Sequence, residues 1–178
     1  MMKELETERL LLRAYQAQDV DDFYEYMKLE ETARYEDFMP LSYDACVNAI
    51  AQRMEQCNNY AVVHKSTGKV IGDVGFAGGA FETFSISFDF NPAYGKQGYA
   101  TEAVDAVVAH IFTTCTGRRI IAECNDDNEN SIHLLQRLGF RKEGHMLEDV
   151  SFKQDADGKP IYVNSYLFAL LSREYHAR

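Results

Sequence analysis

A strand-like segment, a short glycine-containing loop and an apolar helix follow one another without a break in the middle of this sequence. Residues 84–90 alternate apolar and polar side chains, which predicts a β-strand with one buried face. Apolar residues then recur at helical spacing from Ala100 to Phe112, so a helix begins just after Gly98. The first turn of such a helix presents unpaired N–H groups, and the junction therefore predicts a binding site for an anion such as a phosphate. A tight strand-to-helix turn without a ligand is the alternative.

The other segments predict an α+β fold, with a mixed, mostly antiparallel twisted sheet flanked by helices. Alternating or short apolar runs bounded by turn residues predict strands over residues 10–13, 60–64, 70–76, 84–90, 120–122, 141–152 and 161–171. Turns are predicted at residues 65–69 and 155–159, each closing a hairpin. No linker or repeat divides the chain, so residues 1–178 are expected to form one domain.

Four helices are predicted from capping residues and apolar stripes. Asp19, Ser42 and Asn128 are the predicted N-caps of the first, second and last helix, and Gly139 ends the last one. The predicted core-facing residues are Val20, Phe23, Tyr24 and Met27 in the first helix, Val47, Ile50 and Met54 in the second, Ala100, Ala103, Val104, Val107, Val108, Ile111 and Phe112 in the third, and Ile132, Leu135 and Leu138 in the last.

Acidic residues outnumber basic ones by 28 to 18, which gives a formal net charge of −10. Nucleic-acid binding draws on clustered Lys and Arg, so this charge argues against it and favours a cationic small molecule or peptide as partner. Solubility is the simpler explanation of the charge. No apolar run approaches the roughly 20 residues that span a bilayer, and the cysteines and histidines lack metal-ligand spacing. We therefore expect a cytoplasmic protein with no membrane contact and no metal.

Three motifs occur in a fixed order along the chain. They are Glu6-Thr7-Glu8-Arg9-Leu10-Leu11-Leu12-Arg13, the stretch from Asn91 to Ala103, and Asn128-Glu129-Asn130-Ser131 followed by Leu138-Gly139-Phe140, with a weaker fourth match over residues 163–171. Together they resemble the GNAT superfamily of acetyl-CoA-dependent N-acetyltransferases, in particular the branch of the ribosomal-protein-alanine acetyltransferases RimJ and RimL. The resemblance covers nearly the whole chain.

This resemblance implies acetyl-CoA as the cosubstrate. Its pyrophosphate would be bound by the backbone amides of Lys96, Gln97, Gly98, Tyr99, Ala100 and Thr101. The strand ending at Phe88, Asp89 and Phe90 would bulge and splay from its neighbour, so that backbone groups near Phe88 and Phe90 pair with the pantetheine arm. Asn128 would hold the arm near its thiol end, a role that is compatible with capping the helix.

Three positions depart from the family pattern. Gly95 stands where an Arg, Gln or Trp is usual, so one side-chain contact to the cofactor is missing. Ser85 stands where the branch often carries a glutamate base, and Leu135 stands where many relatives have a tyrosine that protonates the leaving thiolate. Neither of the usual acid-base residues is therefore present.

The catalytic candidates are Asp89, Asn128 and Ser131. Asp89 is the first candidate for the general base because it shares a strand face with Ser85; Glu82 is the second, and a water relay from either is a further route. Asn128 and Ser131 are expected near the departing thiolate, although Ser131 is equally read as an ordinary residue of the first helical turn.

A site without a strong base favours an acceptor that is already partly neutral. An α-amine with a pKa near 8 is about a tenth neutral at pH 7, whereas a lysine side chain near 10.4 is about 0.04% neutral. The predicted function is therefore acetyl transfer by direct attack in a ternary complex, to a peptide N-terminal α-amine or a small amine. The alternative is a non-catalytic module that binds coenzyme A or acyl-CoA.

The acceptor cleft is expected between the first two helices and the terminal hairpin. Tyr35, Glu36, Asp37 and Phe38 either line it or form a surface turn with two buried rings, and the surface turn is the preferred interpretation. A second copy of the chain is a candidate partner.

Overall fold

The computed structural model describes residues 2–177, and within them it contains one eight-stranded sheet. The strands are β1 (Leu5–Glu6), β2 (Leu10–Arg13), β3 (Asn59–His64), β4 (Val70–Gly78), β5 (Thr83–Phe90), β6 (Arg119–Asn125), β7 (Arg141–Gln154) and β8 (Pro160–Leu171). Their order across the sheet is β1-β2-β3-β4-β5-β6-β8-β7. Only β5 and β6 run parallel, and every other neighbouring pair is antiparallel. The predicted α+β class is confirmed.

Helices cover both faces of this sheet. They are α1 (Val20–Met27), α2 (Glu30–Ala33), α3 (Tyr43–Gln56), α4 (Tyr99–Thr113), α5 (Glu129–Arg137) and α6 (Ser172–Tyr175). Alternate residues of β3 point to opposite faces, so that Tyr60 and Val62 join a core that includes α4 and α5, whereas Ala61 and Val63 join a second core that includes α1 and α3. The molecule is therefore a sheet packed between two helical layers.

The two parallel strands pair along only part of their length. Thr83, Phe84 and Ser85 of β5 are in register with Arg119, Ile120 and Ile121 of β6, and no pairing follows beyond them. From Ala122 to Asn125, β6 continues in register with β8 instead. The C-terminal halves of β5 and β6 therefore diverge and leave a gap in the sheet.

The expected splay is present, but the expected bulge is not. Residues of β5 from Phe84 to Phe90 pair with β4 in an unbroken antiparallel register. The pairing between β4 and β5 has no extra residue that would push β5 aside. The gap arises instead because β6 follows β8 after Ile121.

The first helix differs from the sequence prediction at its cap and on its buried face. Asp19 precedes α1, but its carboxylate accepts two hydrogen bonds from the Arg13 guanidinium, at 2.7 and 2.8 Å, and does not cap α1. An ion pair with a strand residue is stronger than a cap to a neighbouring amide, because both partners are charged. Tyr26 is fully buried, whereas Tyr24, which was predicted to face the core, is only partly buried.

The second predicted helix, α3, has the right cap but a partly wrong core face. The Ser42 hydroxyl accepts a hydrogen bond from the Ala45 amide at 3.2 Å, as predicted. Cys46 and Ile50 are buried, while Val47 and Met54 are 44% and 43% exposed. The predicted stripe was therefore wrong by a fraction of a turn, because the small apolar Cys46 packs inward in place of Val47.

The later elements follow the sequence prediction closely. The core-facing residues of α4 include Ala103, Val104, Val107, Val108, Ile111 and Phe112. Asn128 caps α5, and Gly139 follows it with a left-handed φ of +72°. Three short elements, β1, α2 and α6, were not predicted, because two to four residues are too few to show a period.

Candidate active site

The loop between β5 and α4 is held in an unusual backbone conformation. Lys96 and Gly98 both have left-handed φ angles, +59° and +83°. The loop enters through a short turn in which the Asn91 side chain accepts a hydrogen bond from the Ala93 amide at 3.0 Å. Glycine is the residue that adopts this conformation at least cost, which accounts for Gly98 immediately before α4.

Six consecutive backbone N–H groups at this junction, those of residues 96–101, donate to no other group in residues 2–177. The first internal hydrogen bond of α4 runs from the Glu102 amide to the Gly98 carbonyl at 3.0 Å. The row of free donors lies at the positive end of the α4 dipole. Such a row is the chemical complement of a phosphate or pyrophosphate.

A cavity of about 510 Å³ opens where β5 and β6 diverge. It is lined by Ile86, Ser87, Phe88 and Asp89 of β5, Glu123, Cys124 and Asn125 of β6, Asn128 and Ser131 at the start of α5, Asp149, Val150 and Phe152 of β7, Val163 and Ser165 of β8, Met27 and Arg53 of the α1–α3 layer, and the segment Tyr35, Glu36, Asp37, Phe38 and Leu41. The first two predicted helices and the terminal hairpin therefore contribute to its wall, as expected for the acceptor cleft, and binding of the acceptor here stays a prediction.

Asp89 lies in this cavity, and its carboxylate forms no hydrogen bond or ion pair with another described residue. Its cross-strand neighbour is Asp73, whose carboxylate accepts hydrogen bonds from Arg53 at 3.0 Å and Asn59 at 2.9 Å. Burial raises the pKa of Asp89 well above its ordinary value, and the nearby carboxylates of Glu36 and Asp73 raise it further. A carboxylate with a raised pKa is a stronger base than an exposed aspartate.

Asn128 and Ser131 meet at the first turn of α5, on the wall of the same cavity. The Asn128 side-chain oxygen accepts a hydrogen bond from the Ser131 amide at 3.2 Å. Within residues 2–177, the Asn128 side-chain nitrogen and the Ser131 hydroxyl donate to no other residue. The cap therefore orients both side chains and leaves both donors free for a ligand.

Acidic side chains missed by the sequence analysis dominate the far side of the cavity. Glu123 and Asp149 line it together with Glu36 and Asp37, while Arg53 is bound by Asp73. The segment around Glu36 was expected to be a surface turn with two buried rings. It does form a turn, in which Asp37 is exposed and Tyr35 and Phe38 are half-buried, and it also lines the cavity. Lys153 of β7 holds it in place by donating to the Arg34 carbonyl at 3.1 Å. From sequence, only the position of Glu123 directly after the predicted strand of residues 120–122 could have signalled its place; in the structure it lies within β6.

Several sequence-predicted positions lie outside this cavity. Glu82 is exposed in a short turn before Thr83, at the opposite end of β5 from Asp89. At the usual rise per strand residue, the two residues are roughly 20 Å apart. Phe90 is half-buried, and its ring packs against Gly72, where an added Cβ would come within 2.4 Å of the ring. Ser85 lines a separate cavity of about 380 Å³ on the same strand. These positions leave Asp89 as the carboxylate of β5 that lies in the cavity.

Two further residues limit the chemistry that the cavity can perform. Burial, followed by Glu36 and Asp126, raises the pKa of the Cys124 thiol to about 11, so the thiol is protonated at neutral pH. Leu135 is fully buried in the core and supplies no proton donor.

Among residues 2–177, no cluster of three or more His, Cys, Asp or Glu has metal-binding geometry. In the same part of the chain, no helix is long and apolar enough to span a membrane.

Comparison with known proteins gives one consistent family. The family model described as an acetyltransferase (GNAT) domain matches residues 9–141. The chain is 33% identical to the uncharacterised N-acetyltransferase p20 of Bacillus licheniformis, over 98% of this chain and 99% of that protein. It is 27% identical to the uncharacterised N-acetyltransferase YnaD of Bacillus subtilis, over 96% of this chain and 98% of that protein.

Solved structures share the whole architecture. A GNAT-family acetyltransferase from Bacillus anthracis superposes with a TM-score of 0.89 at 25% identity, covering 97% of this chain and 100% of that one. The ribosomal-protein-S5-alanine acetyltransferase from Vibrio fischeri superposes with a TM-score of 0.76 at 19% identity, covering 98% of this chain and 99% of that one. At that lower identity the similarity concerns the fold alone.

Proposed function

Since this chain belongs to the GNAT acetyltransferase family, we propose that it transfers the acetyl group of acetyl-CoA directly to a primary amine held in the acidic cavity. The observation that carries the proposal is the row of six free N–H donors at residues 96–101, on the loop that continues from the strand bordering the gap. A phosphate-binding loop and an open sheet edge together suit a ligand with an anionic end and an amide-rich arm.

The residues present fit coenzyme A along its length. The free amides of residues 96–101 would hold the pyrophosphate. Backbone groups of β5 beyond Ser85 that face β6 have no strand partner in the described part of the chain, and they would pair with the pantetheine amides. The free side-chain nitrogen of Asn128 would bind the arm near its thiol end. The bound cosubstrate supplies an activated acetyl thioester.

The chain's own groups supply orientation and proton transfer in this proposal. Unpaired β5 amides near Phe88 donate to the carbonyl under attack and stabilise the charge that develops there. Asp89 accepts the proton of the amine, directly or through water. The Ser131 hydroxyl donates to the departing sulfur. Holding both substrates in one cavity supplies the proximity that a two-substrate reaction needs.

Direct transfer is favoured over a covalent enzyme intermediate. Cys124 is the cysteine that lines the cavity, and its raised pKa keeps it as a thiol. The thiolate is the nucleophilic form of cysteine, so an acetyl-cysteine intermediate would form slowly.

The acceptor that we propose is a cationic amine, either a peptide N-terminal α-amine or a small amine. The carboxyl groups of Glu36, Asp37, Asp89, Glu123 and Asp149 line the cavity, against the single cation Arg53 among the described lining residues. The ionised carboxylates among them attract a protonated amine and repel an acidic one, and Asp89, whose pKa is raised, is assigned to proton transfer and not to this field. We also propose that the chain is related to the RimJ and RimL branch, because its sequence motifs resemble those of that branch.

We also propose a cytoplasmic location. All four cysteines are free, which fits a reducing compartment. A homodimer stays a prediction.

The proposed function is tested by coenzyme A release in the presence of amines paired by charge. Each pair would contain a peptide or small amine and a relative of similar size in which an added carboxylate removes the net positive charge. We expect release with the cationic member and little with the acidic one. Equal release from both members would contradict the role given to the acidic cavity, and no release from any amine would contradict acetyl transfer.

A further inference from the structure

The N-terminal motif from Glu6 to Arg13 has no role in the site described so far, yet one of its residues lies against the phosphate loop. The Arg9 guanidinium donates to the Gln97 carbonyl at 2.9 Å and lies over the Tyr99 ring at 4.4 Å. It also lies close to Gly98, where an added Cβ would come within 3.4 Å of Arg9 Nη2. Arg9 therefore contacts Gln97 and Tyr99 and lies beside Gly98, which stands between them.

Arg9 also binds the Glu102 carboxylate, which lies next to the free amides. Glu102 lies in the first turn of α4, one residue after the row of free donors. Its carboxylate accepts from Arg9 Nε at 2.7 Å, from the Arg9 amide at 2.9 Å and from the Thr7 hydroxyl at 2.6 Å. Burial works against the ionised form of Glu102, but these hydrogen bonds outweigh it and lower the pKa of the carboxyl. Glu102 is therefore a negative charge that Arg9 pairs.

These contacts have two consequences for an anionic ligand. An unpaired carboxylate in the first turn would occupy the positive end of the helix and repel a pyrophosphate. The carbonyl and the N–H of a trans peptide point in opposite directions, and among the described residues no peptide is cis. When Arg9 holds the Gln97 carbonyl, the Gly98 N–H of the same peptide must point away from Arg9.

We propose that Arg9 is a positioning residue for cofactor binding, which pairs the charge of Glu102 and fixes the Gln97–Gly98 peptide so that the loop amides face the pyrophosphate. This inference rests on the proposed function, because it assumes that the loop binds coenzyme A. It assigns a function to the N-terminal motif, which lies more than 80 residues from the loop in sequence.

The test is the dissociation constant of coenzyme A, measured by calorimetry for the parent, Arg9→Met, Glu102→Gln and the double variant. Arg9→Met keeps much of the apolar stem but uncovers the Glu102 charge. We expect its dissociation constant to rise roughly 5–50-fold, the range for one uncovered charge near a multiply charged anion at the dielectric of a protein surface. Adding Glu102→Gln should recover part of that loss.

The control is Arg13→Met, which removes another arginine-carboxylate pair of the same motif, the one with Asp19, at a distance from the loop. It should lower the melting temperature while leaving the coenzyme A dissociation constant unchanged. In steady state, Arg9→Met should raise the KM for acetyl-CoA, with kcat and the KM for the amine unchanged. A purely structural defect would instead lower kcat through a smaller active fraction.

The outcomes separate this inference from the proposed function. If the parent binds coenzyme A and Arg9→Met binds it as tightly, the inference is wrong and the cofactor site stands. A loss in Arg9→Met that Glu102→Gln leaves undiminished also overturns it. If the parent does not bind coenzyme A at all, the loop assignment fails, and the role of Arg9 fails with it.

Discussion

Substitution of Gly98 tests the phosphate loop most sharply, because the backbone at this position is left-handed with a φ of +83°. Placing an L-residue in the left-handed region costs about 1–2 kcal/mol of conformational free energy. In the Gly98→Ala variant, most molecules should therefore adopt a different loop conformation, or keep the native one under strain. The apparent dissociation constant rises by the inverse of the fraction that keeps the competent loop. For 1–2 kcal/mol this predicts coenzyme A binding that is roughly 5–30-fold weaker.

Gly98→Val should weaken binding much further, by roughly 100-fold or more. A β-branched side chain is especially disfavoured at positive φ, and it would approach the Arg9 guanidinium, which lies 3.4 Å from the ideal Cβ position. It would also occupy space beside the free amides of residues 96–101.

The chain provides a matched control in Gly68, which has a φ of +73° and nothing within 4 Å of an added Cβ. Gly68→Ala imposes the same kind of backbone strain in the hairpin turn between β3 and β4. Both alanine variants should lose about 2–8 °C in melting temperature, following the usual relation for a chain of this size. Calorimetry with coenzyme A should separate them, since only Gly98→Ala is expected to bind more weakly. Parent-like affinity in a folded Gly98→Val variant, or equal weakening by Gly68→Ala, would refute the loop assignment.

Three further predictions concern Asp89 and Ser131. Asp89→Asn should lower kcat/KM by roughly 10²–10⁴ while leaving coenzyme A affinity unchanged, and the two pH profiles should converge above the pKa of the amine; a parallel loss at every pH would point to packing instead. Because burial and neighbouring carboxylates raise the pKa of Asp89, the folded state retains a proton that the unfolded state releases above about pH 3.9, so parent stability falls as pH rises. Melting curves should show Asp89→Asn gaining stability relative to the parent from pH 4 upward, and a gap that stays constant with pH would contradict the assigned environment. Ser131→Ala should lower kcat more than it raises the KM for acetyl-CoA; an unchanged kcat, with chemistry limiting turnover, would leave Ser131 as a helix residue.

The helix and loop features that were predicted correctly depend on the hydrophobic spacing and turn residues within one segment of the chain. The α4 stripe repeats over about three turns, so its buried face is unambiguous, and Gly98 sits immediately before the helix at a position with a left-handed backbone. The faces of α1 and α3 were harder to predict, because Tyr24 and Tyr26 are both large aromatics within one turn, and Val47 is apolar yet exposed. Tertiary packing decides between such neighbours.

The features that sequence did not predict depend on segments far apart in the chain. Glu36, Glu123 and Asp149 line one cavity only because β6 and β7 flank β8 and the hairpin reaches the segment after α2. The pairing of Arg9 with Glu102 joins residues 93 positions apart. The raised pKa of Asp89 likewise comes from burial and from carboxylates of other elements, which the alternating pattern of its own strand does not reveal.

Direct acetyl transfer from acetyl-CoA to an amine can be followed by isotope transfer in a single turnover. The protein would be mixed with acetyl-CoA carrying a labelled acetyl group and with a cationic peptide or small amine, quenched, and separated by mass spectrometry. We expect the label on the amine, one free coenzyme A thiol for each acetylated amine, and no label on Cys124 at any time. Coenzyme A binding without label on any amine would contradict acetyl transfer and identify a non-catalytic binding module, and transient label on the protein would contradict direct transfer.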